Sequence, residues 1–195
     1  GYPYLSWESP ENSGPQIQVI SNLTTDELVN INESSATIIS TIKCTGYTSA
    51  TQHGVCWNTT GIPTINDNIT EQGAVIQAGS FNSELSGLVQ NTVYYVKAYA
   101  TNIHGTSYGK TLTFITVVPP LGDGTIEAPY QISTLAELYW ITITPSVWDK
   151  YFIQTDDIDA SQTSIWNFGE GWIPIGNQSE PFMGHYNGDG HVING

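Results

Sequence analysis

The sequence predicts a mostly-β protein, and three observations carry that expectation. "ATIISTIKC" alternates, with Ala36, Ile38, Ser40, Ile42 and Cys44 on one face and Thr37, Thr41 and Lys43 on the other, as in a half-buried strand. From Gln16 to Thr116, strand-like runs recur at intervals of about ten residues between clusters of Gly, Pro, Asn and Ser, which is the pattern of a β-sandwich. A single stretch, "STLAELYWITI", reads as a helix.

After the alternating run come "HGVCWN", "GAVIQAG", "SFNSELSGL", "VYYVKAYATN" and "TLTFIT". In "VYYVKAYATN", Tyr94, Val96, Ala98 and Ala100 are expected to point inward, and Tyr95, Lys97, Tyr99 and Thr101 outward. Cys44 and Cys56 are spaced for a disulfide, with two small buried hydrophobes on neighbouring strands the favoured reading. Within "GLVQNTVYYV", Leu88, Thr92, Tyr94 and Val96 resemble the E-F corner of a fibronectin type III domain, whose tyrosine hydroxyl bonds back to the backbone. "GVCWNTTGIPT" and "YYVKAYATNIHGTSYG" resemble the variant of that domain found in large bacterial and archaeal surface proteins. The resemblance implies a sandwich over residues 15–118, with Tyr94 and Leu88 in structural roles and the Tyr94 hydroxyl on a backbone group between Leu88 and Gln90. The F-G turn reads Asn102-Ile103-His104-Gly105 rather than Arg-Gly-Asp, so integrin-style adhesion is not implied.

"VVPPLGDGT" breaks the pattern: Pro119 and Pro120 stiffen the chain, and residues 119–122 read as a linker. In the helix, Thr134 and Glu137 form a capping box, and Leu135 and Leu138 with Ile141 or Trp140 form the buried stripe. "YFIQTDDID", "GWIPIG", "PFMGHY" and "HVING" read as strands, the last two paired as a hairpin across Asn187-Gly188-Asp189-Gly190.

The order of pieces from "GDGTIEAPYQISTLAELYWI" to "PFMGHYNGDGHVING" is similar to the start of a GLUG-repeat region of large secreted, adhesin-like proteins. That resemblance implies that residues 123–195 are the helix-capped beginning of a right-handed β-helix, a solenoid; the core repeats that name the family are absent. Physically, a helix with one apolar stripe can close a solenoid end. Ile158 would point inward, while Asp156, Asp157 and Asp159 bond turn amides at the corner. "GYPYLSW" looks like the closing line of another such region, with Tyr2, Tyr4, Leu5 and Trp7 able to add a strand to an open edge. Residues 1–14 are therefore expected to be the tail of a preceding module or a linker, and the chain a piece of a longer one.

Of 195 residues, four are Lys or Arg and 18 Asp or Glu, a formal charge of −14, which argues against nucleic acid and anionic membranes as partners. No apolar run approaches the ~18 residues of a membrane span. Asn22, Asn32, Asn58, Asn68 and Asn177 head Asn-x-Ser/Thr triplets and are candidate N-glycosylation sites.

No catalytic, cofactor-binding or metal site is expected. His53, His104, His185 and His191 lack partners at ligand spacing, and neither a nucleophile elbow nor a phosphate-binding loop is present. Glu170, Glu180 and Asp189 are the candidate paired carboxylates, but one turn of solenoid could not hold two of them at a fixed separation. Calcium would suit Asp156, Asp157 and Asp159 or the "GDG" at residues 122–124, with turn capping the favoured role.

The expectation is thus a non-enzymatic structural and adhesive module of an extracellular or cell-surface protein. Its partners would be neighbouring modules or identical copies meeting at open β edges, with surface glycans as a further class. One alternative is a glycan-binding accessory module of a polysaccharide-degrading enzyme, with Trp148, Trp166, Trp172, Tyr95 and Tyr99 as a stacking platform. A second is a subunit of an extracellular filament assembled by strand addition.

Overall fold

The computed structural model describes residues 22–44 and 48–195, so the "GYPYLSW" strand and the 1–14 tail lie outside the described residues. The first eight strands are β1 (Asn22–Val29), β2 (Ser35–Cys44), β3 (Gln52–Asn58), β4 (Asn68–Ile69), β5 (Gly79–Ser86), β6 (Val93–Asn102), β7 (Gly105–Tyr108) and β8 (Leu112–Ile115). They form two antiparallel sheets, β1-β2-β5 and β4-β3-β6-β7, and β8 continues the edge of β6 beyond β7. Ala36, Ile38, Val55, Leu85, Leu88, Tyr94, Val96, Leu112 and Phe114 fill the space between them.

Alternation places β2 as its pattern demands: Ala36, Ile38, Ser40 and Ile42 are buried. Cys44, at the end of that face, is exposed, whereas Cys56 is fully buried, and the two are not joined. Burial drives the Cys56 thiol up to about 12.

Strand β6 departs from expectation. Tyr94, Val96, Ala98 and Ala100 are inside, but Lys97 and Tyr99 on the opposite face are buried as well. The chain after β3 folds back over that face: Thr70 accepts a hydrogen bond from the Tyr99 hydroxyl at 2.8 Å, and the Lys97 ammonium sits 4.1 Å from the Tyr108 ring centre. Gly54 permits this approach, because a Cβ there would collide with the Thr70 carbonyl. "GAVIQAG" forms no strand; Val75 makes one isolated bridge to Ala50, and Ile76 is exposed.

The remaining strands and the α-helix are β9 (Tyr130–Ile132), α1 (Leu135–Thr142), β10 (Tyr151–Gln154), β11 (Ile158–Asp159), β12 (His185–Asn187) and β13 (Ile193–Asn194), with short 3-10 turns at Pro145–Val147, Ser161–Ile165 and Asn167–Gly169. All their pairings are parallel: β10 lies between β9 and β12, and β11 pairs with β13. The expected hairpin is therefore wrong, since β12 and β13 pair with earlier strands and not with each other. Asp189 and Gly190 do adopt positive φ, but the turn carries the chain round a corner from one sheet to the other. "GWIPIG" is also not a strand; it follows a loop with positive φ at Asn167, Phe168 and Gly169, and its own Gly171 is at positive φ.

Helix α1 buries Leu135, Ala136, Leu138 and Ile141 against Ile132, Phe152, Ile158 and Trp166. Ile115 of β8 belongs to the same apolar cluster, so the sandwich and the parallel sheets pack against each other.

Candidate functional site: the open edge of the parallel sheets

Construction of this region begins at α1. The Thr134 hydroxyl accepts from Glu137 N–H at 3.2 Å. Glu137 in turn accepts from the N–H groups of Ser133 and Thr134 at 2.8 and 3.0 Å. Three backbone donors at and just before the helix start are thereby satisfied, which fixes where α1 begins, directly after β9.

In-register pairing aligns Tyr130, Phe152 and Tyr186 on β9, β10 and β12. Their rings form a column, with centroid separations of 5.6 and 6.4 Å. Gln154, which is 2% exposed, ties the column to the corner: its amide donates to the carbonyls of Asp156 and Val192, and its oxygen accepts from the Tyr186 hydroxyl. Burial pushes the Tyr186 phenol up to about 12, so it donates at every ordinary pH.

The aspartates at the corner act on backbone. Asp157 accepts from Val192 N–H at 3.0 Å and meets His191 at 3.3 Å, and Asp159 accepts from Ser161 N–H at 2.9 Å. Hydrogen bonding to Val192 and to Ser161 respectively holds both carboxyls below the usual range. Asp123 is lowered in the same way, chiefly by the Thr125 hydroxyl. Among the described residues no group of three or more His, Cys, Asp or Glu side chains gathers to hold a metal ion.

Beyond β12 the sheet has no further strand among the described residues, and β13 has β11 as its one partner. Val192 and Ile193 are exposed here. Leu138, Ala160, Trp172, Ile175 and Ile193 line an apolar groove of about 420 Å³ there. An edge of this kind, with strand backbone and apolar side chains both open, can accept another strand.

Other sequence-selected residues fall elsewhere. Tyr94 is 6% exposed, and its hydroxyl accepts from Val89 N–H at 2.9 Å beside the buried Leu88. Asn32, Asn58 and Asn177 accept from backbone N–H groups two and three residues ahead, Asn68 donates to the Trp57 carbonyl, and Asn22 is exposed at the start of β1. The His53 ring contacts the Gly73 carbonyl, His104 meets Thr48, and His185 lies against Tyr151. Glu170 and Asp189 are exposed, and Glu180 lines a groove with Asp149 to which neither contributes. The stacking platform does not form: Trp148, Trp166 and Tyr99 are buried, and Trp172 packs on Trp166. Sequence reading missed the aromatic column, although aligning "PYQI", "YFIQ" and "HYN" on their aromatic residues would have exposed it.

No family model matches the chain. It is 32% identical over 161 residues to halomucin of Haloquadratum walsbyi, an alignment that covers 80% of this chain and 2% of halomucin. The chain thus spans about one-fiftieth of the length of that relative. Among solved structures, the sensor domain of the anti-sigma factor RsgI4 of Pseudobacteroides cellulosolvens matches with a TM-score of 0.39 and 14% identity, over 55% of this chain and 99% of that one. An FN3 domain of human collagen XX matches with a TM-score of 0.37 and 19% identity, over 53% and 99%.

Proposed function

We propose that the chain is a non-enzymatic structural and adhesive module of an extracellular or cell-surface protein. The fibronectin III-like sandwich serves as spacer, and the parallel sheets serve as the capped start of a GLUG-type right-handed β-helix. The observation that carries this reading is the parallel register of β9, β10 and β12 and of β11 and β13, which stacks successive passes of the chain on one another. Structures of this type bury each pass against its neighbour, so the edge at β12 and β13 would take a further strand, from the same protein or from an identical copy. Burial of the apolar stripe of α1 in the core of the parallel sheets supports the capping role. Likeness to halomucin over most of the chain supports the surface setting.

Intact, non-permeabilised cells of the source organism, labelled with antibody raised against residues 22–195, provide the test. The reading expects labelling before permeabilisation. Labelling that appears only afterwards would contradict it.

A further inference from the structure

A separate groove of about 560 Å³ opens between the sandwich and the 161–170 segment, within the ~300–1,000 Å³ typical of small-molecule sites. Tyr95 of β6 and its cross-strand partner Thr113 of β8 form one wall, with Thr111 beside them and Ile62 at the rim. Phe168 faces them. Its backbone stands at φ 60°, ψ 28°, a region that bulky residues rarely occupy. The loop is held there by Trp166, a core residue at 3% exposure, whose carbonyl accepts from Gly169 and Gly171 N–H. Asn167 closes it with a bond to the Gly171 carbonyl at 2.6 Å. The outcome is a half-exposed aromatic face fixed opposite a row of hydroxyl-bearing side chains.

Charge narrows the ligand. The groove's single charged lining residue is Lys110, whose ammonium lies over the Phe168 ring, 5.5 Å from its centre. Among the described residues no carboxylate lies within ion-pair distance of it. By contrast, Lys150 pairs with Asp149, and Lys97 is buried on Tyr108. A net charge of −14 opposes anions at long range, but charges beyond ~8 Å are screened at physiological salt, so direct contact with Lys110 decides.

We propose that this groove binds an anionic sugar, its carboxylate or sulfate drawing the Lys110 ammonium off the Phe168 ring so that the sugar's apolar C–H face takes that place, with its hydroxyls toward Thr111 and Thr113. The site is distinct from the open sheet edge and does not depend on strand addition there.

The test is an amide-resolved NMR titration of the whole chain with tetragalacturonate, a sulfated galactan tetrasaccharide, and methyl-esterified tetragalacturonate as the neutral probe. At least one anionic probe should saturably shift the amides of Lys110, Thr111, Thr113 and Phe168, and which one binds separates carboxylate from sulfate. The neutral probe, and the anionic probe on Lys110→Gln, should bind about tenfold more weakly, as expected on losing a charge-assisted contact. Phe168→Ala should weaken binding comparably. Since Lys110 is exposed, Lys110→Gln keeps the test valid should Phe168→Ala unsettle the loop. Absence of binding by both anionic probes, equal binding of the neutral one, or unchanged binding by Lys110→Gln would overturn the proposal.

Discussion

Phe152 of β10 stacks on Tyr186 of β12, ring planes 23° apart and centroids 6.4 Å apart, although the two residues are separated by the whole 153–185 stretch. Such a pair is possible because the strands run parallel in register, so equivalent side chains lie above one another. Phe152 also touches Tyr130 and Phe182, which makes it the centre of the C-terminal core.

Replacing Phe152 by Ala should therefore destabilise the chain by about 3–5 kcal/mol, as large-to-small changes at buried aromatic positions do. Urea denaturation followed by tryptophan fluorescence measures this. A loss below about 1 kcal/mol would show that the column is not packed as described.

Tyr94→Phe removes the acceptor of Val89 N–H and should cost about 1 kcal/mol while leaving the ring's contact with Phe114 intact. The same denaturation experiment applies, and unchanged stability would mean that the corner bond contributes nothing.

At α1, Thr134→Ala removes the acceptor for Glu137 N–H and should cost about 0.5–2 kcal/mol. Glu137→Gln keeps an acceptor for Ser133 and Thr134 and should cost less. A reversed order would contradict the capping geometry.

Asp157 supplies a pH-dependent contribution. Its folded-state value is depressed, chiefly by Val192 N–H and further by His191. The stabilisation is therefore present above the unfolded carboxyl value of about 3.9 and is lost as pH falls through the lower folded value. Asp157→Asn should be less stable than the parent chain at pH 7 and should approach it in stability below about pH 4. Acid titrations of the two proteins by circular dichroism compare them, and a constant difference across that window would rule out this role.

How far the sequence speaks depends on which physical signal an element leaves. The alternation in β2 and the Thr134/Glu137 pair at α1 are local rules, and the structure contains both elements. Inward placement of Tyr94, Val96, Ala98 and Ala100 follows from the same period. Burial of Lys97 and Tyr99 does not, because it depends on residues near Thr70 returning across β6 and on Gly54 leaving them room. Likewise, Asn187-Gly188-Asp189-Gly190 announces a turn and says nothing of its direction: positive-φ residues serve a corner as readily as a hairpin. The partners that decide the matter, Tyr151 to Ile153 for β12 and Ile158 to Asp159 for β13, lie more than thirty residues upstream. The Phe168 groove left no local signal, since its two walls meet only in the folded chain.

The parallel register carries the functional reading, and interstrand nuclear Overhauser effects on the isotopically labelled chain test it most directly. Close backbone contacts between Phe152 and Tyr186 and between Ile158 and Ile193 are predicted, with none across the turn from Tyr186 to Val192. Strong Hα–Hα contacts across that turn, the mark of an antiparallel hairpin, would contradict it.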